Sequence, residues 1–362
     1  MQQLKGILLF FSLVFPAVIF AQTIRIDDFS SRYYAEVHVE GGELYIKDKQ
    51  TNAEVIFADI SDVDINYESE SGLSSNVIQR PYGDQSLIIY EDFNFDGEKD
   101  FAIKNGYYSC YGGPSFLIYI NKSNGFYLDN DFTSVAQEYC GIFGVDTETE
   151  TIHAMTKSGC CWHRFDTYKV EDGKLEIVQS IEEVYGIRGT PFIESYITEY
   201  KDGEEVFQVN VDVDRSEVNV QFSFDLENGS NVVLFKSHDF LYYMQTNPQG
   251  EIEFAFNREP VYGDDYQDIG GSFVYHSNAS NRKELQFNTI DAGYAIYYEE
   301  VNGALSNVGI VVESNEKIYE LNGLIDTVYG DMKVILEEAG NESLKNVVLF
   351  DERYDDESTS IR

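Results

Sequence analysis

The chain has 362 residues and a formal charge of −39, from 64 Asp and Glu against 25 Lys and Arg. That balance makes nucleic acid and anionic membrane poor partners and favours a basic protein, a divalent cation or a cationic polymer. It also serves solubility in a salty medium. Hydrophobic residues are 43% of the chain and aromatics 15%, so a sizeable core is available and disorder is excluded for most of it.

The chain begins with a signal-like segment. Lys5 supplies the positive start, residues 6–21 (GILLFFSLVFPAVIFA) form an uncharged apolar run, and Ala21 is a small residue of the kind accepted at a cleavage site. Residues 1–21 are therefore expected to be a signal peptide, with a mature chain that starts at Gln22, carries no membrane span and works in the periplasm or outside the cell. A retained anchor is disfavoured because the run is short of the roughly 20 residues a span needs and Pro16 interrupts it.

From Gln22 onward the chain reads as β-structure. Tyr and Phe dominate the aromatics, at 27 and 25 against one Trp, and both favour strands. Short alternating or β-branched runs occur at Tyr34–Val39, Leu44–Lys47, Glu54–Phe57, Ser86–Tyr90, Ser115–Ile120 and Phe165–Val170. Turn pairs such as Gly41-Gly42, Asn124-Gly125 and Asp172-Gly173 separate them. Further runs are Glu205–Val213, Val218–Phe224, Asn231–Phe235, Tyr294–Tyr298 and Val308–Val312, and short helices are expected at Thr133–Cys140 and Asp331–Glu338. The pattern predicts an all-β protein: a propeller-like or meander domain over residues 22–188, a second β-rich domain over 189–350, and an acidic tail over 351–362.

The sharpest chemical motif is Asp92-Phe93-Asn94-Phe95-Asp96-Gly97-Glu98-Lys99-Asp100. Side-chain oxygens of Asp92, Asn94, Asp96 and Asp100, with the carbonyl of Glu98, can converge on one hard cation, and Gly97 permits the tight turn. Such a donor set suits calcium. It is not a full EF-hand, because the twelfth position is Ile103 and the flanks are strand-like. A structural calcium on a β-hairpin is the expectation; the alternative is a plain acidic turn.

Four cysteines, Cys110, Cys140, Cys160 and Cys161, imply two disulfides in an exported chain. A bridge between the adjacent pair needs a strained ring, so Cys160 and Cys161 are each expected to take a distant partner, in either order. A zinc site that adds His163 is favoured by neither spacing nor compartment.

Four segments in order, Tyr90–Ile103 (YEDFNFDGEKDFAI), Ser109–Ser115 (SCYGGPS), Gln137–Phe143 (QEYCGIF) and Met155–His163 (MTKSGCCWH), carry a family likeness. Together they resemble bacterial periplasmic proteins with a calcium loop and a β-propeller-like body, among them immunity proteins that inhibit lysozyme-like effectors of type IV secretion systems. The likeness covers roughly residues 80–180. It implies an exported inhibitor whose partner is a basic lysozyme-like hydrolase or secreted effector, with calcium as cofactor. Under that reading Ser109, Tyr111, Gly112, Gly113 and Ser115 form an inhibitory loop held from both sides, by Cys110 and by the calcium hairpin. Tyr111 is its hot spot, Ser109 and Ser115 offer hydroxyls, and Lys157-Ser158 forms a second candidate loop.

Two other classes remain open. One is a calcium-stiffened surface or adhesion module that binds glycan or protein. The other, weaker, is a glycoside hydrolase, since with 64 carboxylates any pairing arises by chance. No GxSxG, HExxH or phosphate-loop motif is present, so an enzyme ranks below a binding protein.

Overall fold

A computed structural model describes residues 22–65, 75–79, 83–185, 190–201, 203–256, 272–277, 281–341 and 343–350. The expected signal segment, residues 186–189 around the expected domain boundary and the acidic tail lie outside them. The chain divides into two compact units, Met1–Ala154 with Lys169–Glu176, and Met155–Tyr168 with Ile177–Arg362. Both are built almost entirely from antiparallel strands, and the protein is all-β.

In the first unit, β1 (Thr23–Ile26), β2 (Tyr33–His38), β3 (Glu43–Asp48) and β4 (Glu54–Asp59) pair in sequence order as one four-stranded meander. Strands β5 (Ile88–Glu91), β6 (Asp100–Ser109), β7 (Gly113–Lys122) and β8 (Gly125–Leu128) form a second. Four-stranded meanders in succession are the blade pattern of propellers. Alternation explains why they pack: Val37, Leu44 and Ile46 from one sheet and Ile88, Phe101 and Ile103 from the other are buried in a common core. Phe29, Tyr33, Tyr90 and Phe126 close around Phe101 with ring centroids 4.5–6.2 Å apart. Helix α1 (Asn130–Glu138) comes next, capped by Asp129, whose carboxylate accepts from the Asp131 and Phe132 amides. A hairpin of β9 (Gly144–Asp146) and β10 (Thr151–Ser158) pairs at 144–146 and 151–153.

Beyond β11 (Trp162–Glu171), the second unit contains a meander of β12 (Lys174–Tyr185), β13 (Phe192–Lys201) and β14 (Glu204–Val213). Two sheets then enclose its main core. The first begins with β15 (Asn219–Asp225), β16 (Asn231–Ser237), β17 (Phe240–Thr246) and β18 (Ile252–Phe256). The second comprises β19 (Phe273–Ser277), β20 (Arg282–Asn288), β21 (Gly293–Val301), β22 (Ala304–Ser314) and β23 (Lys317–Asn322). A short β24 (Tyr329–Gly330) joins the first sheet beside β15, and β25 (Val347–Phe350) joins the second in parallel with β19. Helix α2 (Met332–Gly340) inserts Met332 and Ile335 into the core, among Phe222, Phe224, Leu285 and Ile296.

A charged knot ties α2 to this sheet. The Glu300 carboxylate takes Lys283 at 2.7 Å, Lys333 at 2.9 Å and the Tyr298 hydroxyl at 3.2 Å. The two ammonium groups hold its pKa down to about 2, against an ordinary 4.5. A carboxyl depressed in the folded state stabilises above its unfolded pKa, and that contribution is lost as pH falls through the folded value. Glu300→Gln should therefore lower the unfolding free energy by about 1 kcal/mol at neutral pH, after allowance for solvent screening. The gap should close between pH 4.5 and 2. Urea midpoints across that range check this; a gap that does not change with pH would contradict it.

Candidate functional site

Strand β6 organises the candidate residues. At its start, the loop between β5 and β6 carries the acidic motif. Phe93 anchors the loop, 1% exposed and edge-on to Phe143 at 5.4 Å. The turn itself is made by side chains. Asp92 accepts from the Asp96 amide at 3.2 Å and the Gly97 amide at 2.9 Å, and Asp96 accepts from the Glu98 amide at 2.8 Å. Asn94 accepts from the Asp96 amide at 3.2 Å and donates to the Asp96 carboxylate at 2.9 Å. Gly97 sits at φ 89°, a left-handed conformation that glycine adopts without steric penalty.

Asp100 is fully buried and accepts from the Phe93 and Asn121 amides, each at 2.8 Å. Burial pushes its pKa up to about 7; the two amides oppose this, and the neighbouring Asp96 and Asp92 charges add to it. All the donors are hard oxygens, and a cation beside them would offset the repulsion that the buried carboxyl feels. The donor chemistry therefore fits calcium. As they stand, however, the carboxylates face backbone amides of the loop and of β7, and among the described residues no three His, Cys, Asp or Glu side chains gather around one point. Cation binding thus requires Asp92, Asp96 and Asp100 to draw closer.

At the other end of β6 lies the tyrosine loop. Two register shifts, at Lys104/Gly106 and Gly106/Ser109, re-aim the strand before the turn. Cys110–Gly112 then make a single tight turn in which Tyr111 has φ 55° and Gly112 φ 70°. Disulfide Cys110–Cys140, with Cα atoms 4.8 Å apart, fastens the turn to the residues after α1, and the Cys110 amide donates to the Tyr139 carbonyl at 3.2 Å. Tyr111 is 68% exposed and Tyr108 58%; the Tyr108 hydroxyl is bonded to Asp62.

Three expectations need correction. First, the serines do not face outward. Ser115 is fully buried, donating to the Asn105 side chain at 3.0 Å and accepting from the Tyr108 amide at 3.3 Å, while Ser109 is 6% exposed and its hydroxyl has no partner. The bulges turn both side chains inward, so neither hydroxyl is presented to a partner. Second, the loop is not braced from both sides. The ten residues of β6 separate it from the acidic hairpin, roughly 30 Å at a strand's rise per residue, so proximity in sequence is not proximity in space. Third, the disulfides are Cys110–Cys140 and Cys160–Cys161, with no free cysteine. The adjacent pair sits in the turn between β10 and β11, whose backbone accommodates the ring with Cα atoms 3.7 Å apart.

Lys157 and Ser158 end β10, half-buried and exposed respectively, and belong to the second unit, whereas Ser109–Ser115 belongs to the first. His163 packs its ring on Phe165 and Tyr185 at 6.4 and 5.4 Å, with Nδ1 buried and unpartnered. Sequence reasoning missed Tyr107 and Tyr108, 37% and 58% exposed. The Tyr-Tyr-Ser-Cys-Tyr run was the available signal, since three rings beside one turn cannot all enter the core.

No protein-family model matches the chain, and no curated protein matches it. Among solved structures, the chain is similar to a Xanthomonas type IV secretion system related protein, with 18% identity and a TM-score of 0.41, over 51% of this chain and 92% of that one. It is also similar to prolyl oligopeptidase B from Galerina marginata, with 11% identity and a TM-score of 0.22, over 82% of this chain and 40% of that one. A third likeness is to the Dos1 propeller, with 9% identity and a TM-score of 0.20, over 80% of this chain and 65% of that one. None of these likenesses bears on activity. The paired cysteines fit an exported protein, and no helix among the described residues is long and apolar enough to cross a membrane.

Proposed function

We propose that this protein is an exported binding protein that inhibits a lysozyme-like cell-wall hydrolase by inserting the Tyr111 loop into its cleft. The observation that carries the reading is Tyr111 itself: a largely exposed ring on a left-handed turn, fastened by a disulfide at the adjoining Cys110. A loop already ordered in the free protein loses little entropy on binding, so a short segment can bind tightly. An amphipathic ring fills an apolar sugar subsite and still offers a hydroxyl. With both serines turned inward, Tyr108 and the backbone of Gly112 and Gly113 take their place as the other contacts. The formal charge of −39 steers a basic hydrolase toward the protein, and salt weakens that attraction. The family resemblance carried by the four cysteine-bearing and acidic segments adds support. Asp92, Asn94, Asp96, Glu98 and Asp100 hold one calcium in this reading, and its role is to lock the β5–β6 hairpin.

A cell-wall clearing assay tests the proposal, with goose-, chicken- and invertebrate-type lysozymes and secreted effector hydrolases, in calcium. Stoichiometric inhibition of at least one, weakened by added salt, is the expected result. Absence of both binding and inhibition across the panel at micromolar protein would contradict it and leave the surface-module reading, to be pursued with a glycan array.

A further inference from the structure

Strand β14 forms one border of its sheet, and among the described residues no strand pairs with its outer edge. It matches β13 over all ten residues with no register shift. In an antiparallel strand, alternate residues aim their N–H and C=O groups at opposite edges, so about five residues of β14 present unpaired backbone outward. Proteins ordinarily guard such an edge with lysine, proline, a bulge or shortness. Here the central Val206-Phe207-Gln208-Val209-Asn210-Val211 carries no charge, and Val206, Phe207 and Val209 are 51%, 62% and 44% exposed. Strand β23, another border strand with exposed apolar side chains, shows the contrast: it has only six residues and contains Lys317 and Glu320.

The strand is held firmly where it begins to be buried. Paired Phe192 and Val213 lie in an apolar cluster with Phe235, Phe240 and Tyr242, while residues 204–210 are all exposed. Beside the Gln208–Asp212 half of β14 lies a groove of about 700 Å3, lined also by Asn247, Gln249, Glu251 and the start of β18. Its charges are Asp212, Glu251 and Glu253 against Arg215, and Glu204 and Glu205 mark the opposite end of the strand.

We propose that β14 is a docking strand that adds an extended segment of another protein, one with basic residues flanking an uncharged paired stretch. Main-chain hydrogen bonds to the open edge supply affinity, and the acidic ends set register and charge preference. A second copy of this chain does not fit. Antiparallel self-pairing sets Glu204 and Glu205 against Asp212, parallel self-pairing sets each carboxylate beside its twin, and both copies carry −39. The chain's own tail, DERYDDESTSIR, is acidic and repelled in the same way. This inference is independent of the Tyr111 loop, which belongs to the first unit.

The test uses the full chain and the capped peptide KKTVTVTVKK, monitored by calorimetry and by hydrogen exchange. Expected are saturable binding and new amide protection confined to residues 204–212. Exchanging the peptide's lysines for glutamate, or introducing Glu204→Lys with Glu205→Lys, should weaken binding at least about tenfold. Of two peptides N-methylated on alternate residues, in opposite phase, one should lose binding. Retained binding by both methylated peptides would reduce the contact to charge attraction and overturn the proposal. So would protection at β23 instead of β14, binding of a cationic oligosaccharide in place of the peptide, or no saturable binding at about 1 mM.

Discussion

Replacing Cys110 and Cys140 together by serine is expected to lower the unfolding free energy by about 3.5 kcal/mol, while the same change at Cys160 and Cys161 is expected to shift it by less than about 1 kcal/mol. The two bridges differ in what they constrain. Cys110–Cys140 spans 30 residues and encloses β7, β8 and α1. Cutting it returns the closure entropy of that loop to the unfolded chain, and loss grows with loop length. Cys160–Cys161 joins neighbours one position apart. It leaves the long-range freedom of the unfolded chain almost untouched, so its effect is confined to the β10–β11 turn. Denaturant unfolding of the two double variants and the wild type separates the bridges. Equal shifts would show that the loop between Cys110 and Cys140 is already restricted when unfolded.

If the Asp92–Asp100 loop holds calcium as proposed, removing the ion is expected to destabilise the first unit by an amount set by mass action. At about a hundredfold excess over its dissociation constant, a ligand that binds only the folded state contributes about 2.7 kcal/mol. The structure gives a reason for the coupling. Asp100 is buried at the start of β6 near the Asp92 and Asp96 charges, which raise its pKa. A divalent cation drawn in by these carboxylates would offset their repulsion and close the hairpin between β5 and β6. Chelator should therefore lower the melting temperature of the wild type, and Asp96→Ala should melt at one temperature with or without it. Identical wild-type melts in calcium and chelator would contradict the site and leave the acidic turn as a self-bonded loop.

Much of the architecture is legible in the chain, for reasons particular residues show. The β-branched and aromatic run Tyr34–Val39 is enough to mark the strand, and β2 runs Tyr33–His38, with Ala35 and Val37 in the core and Tyr34 on the opposite face buried as well. Helix α1 begins three residues before the expected Thr133, because Asp129 caps it. The strands at residues 205–213, 218–224, 231–235, 294–298 and 308–312 all form, within a few residues of their expected limits. The features hidden from the sequence are tertiary. Nothing local in Ser109–Ser115 tells that two register shifts in β6 turn the serines inward, since a bulge depends on the partner strand. The separation of the acidic hairpin from the tyrosine loop comes from β6 being one long strand, whereas Phe101-Ala102-Ile103 alone suggests a short one. The cysteine pairing differs from expectation because ring closure depends on the turn that accommodates it. Exposure of β14 is hidden too: its alternating Val206, Gln208, Asn210 and Phe207, Val209, Val211 reads as an ordinary half-buried strand until its open edge is seen.

The central claim is that the Tyr111 loop inhibits a cell-wall hydrolase, and the most direct measurement is the inhibition constant of Tyr111→Ala against that of the wild type, with melting curves alongside. Truncating a hot-spot ring removes about 2 kcal/mol or more of binding, roughly a 30-fold weakening. Because the ring is exposed and makes no part of the core, its removal leaves the melting temperature unchanged. Inhibition that drops by that factor at constant stability is the predicted result; full inhibition by Tyr111→Ala would contradict the account.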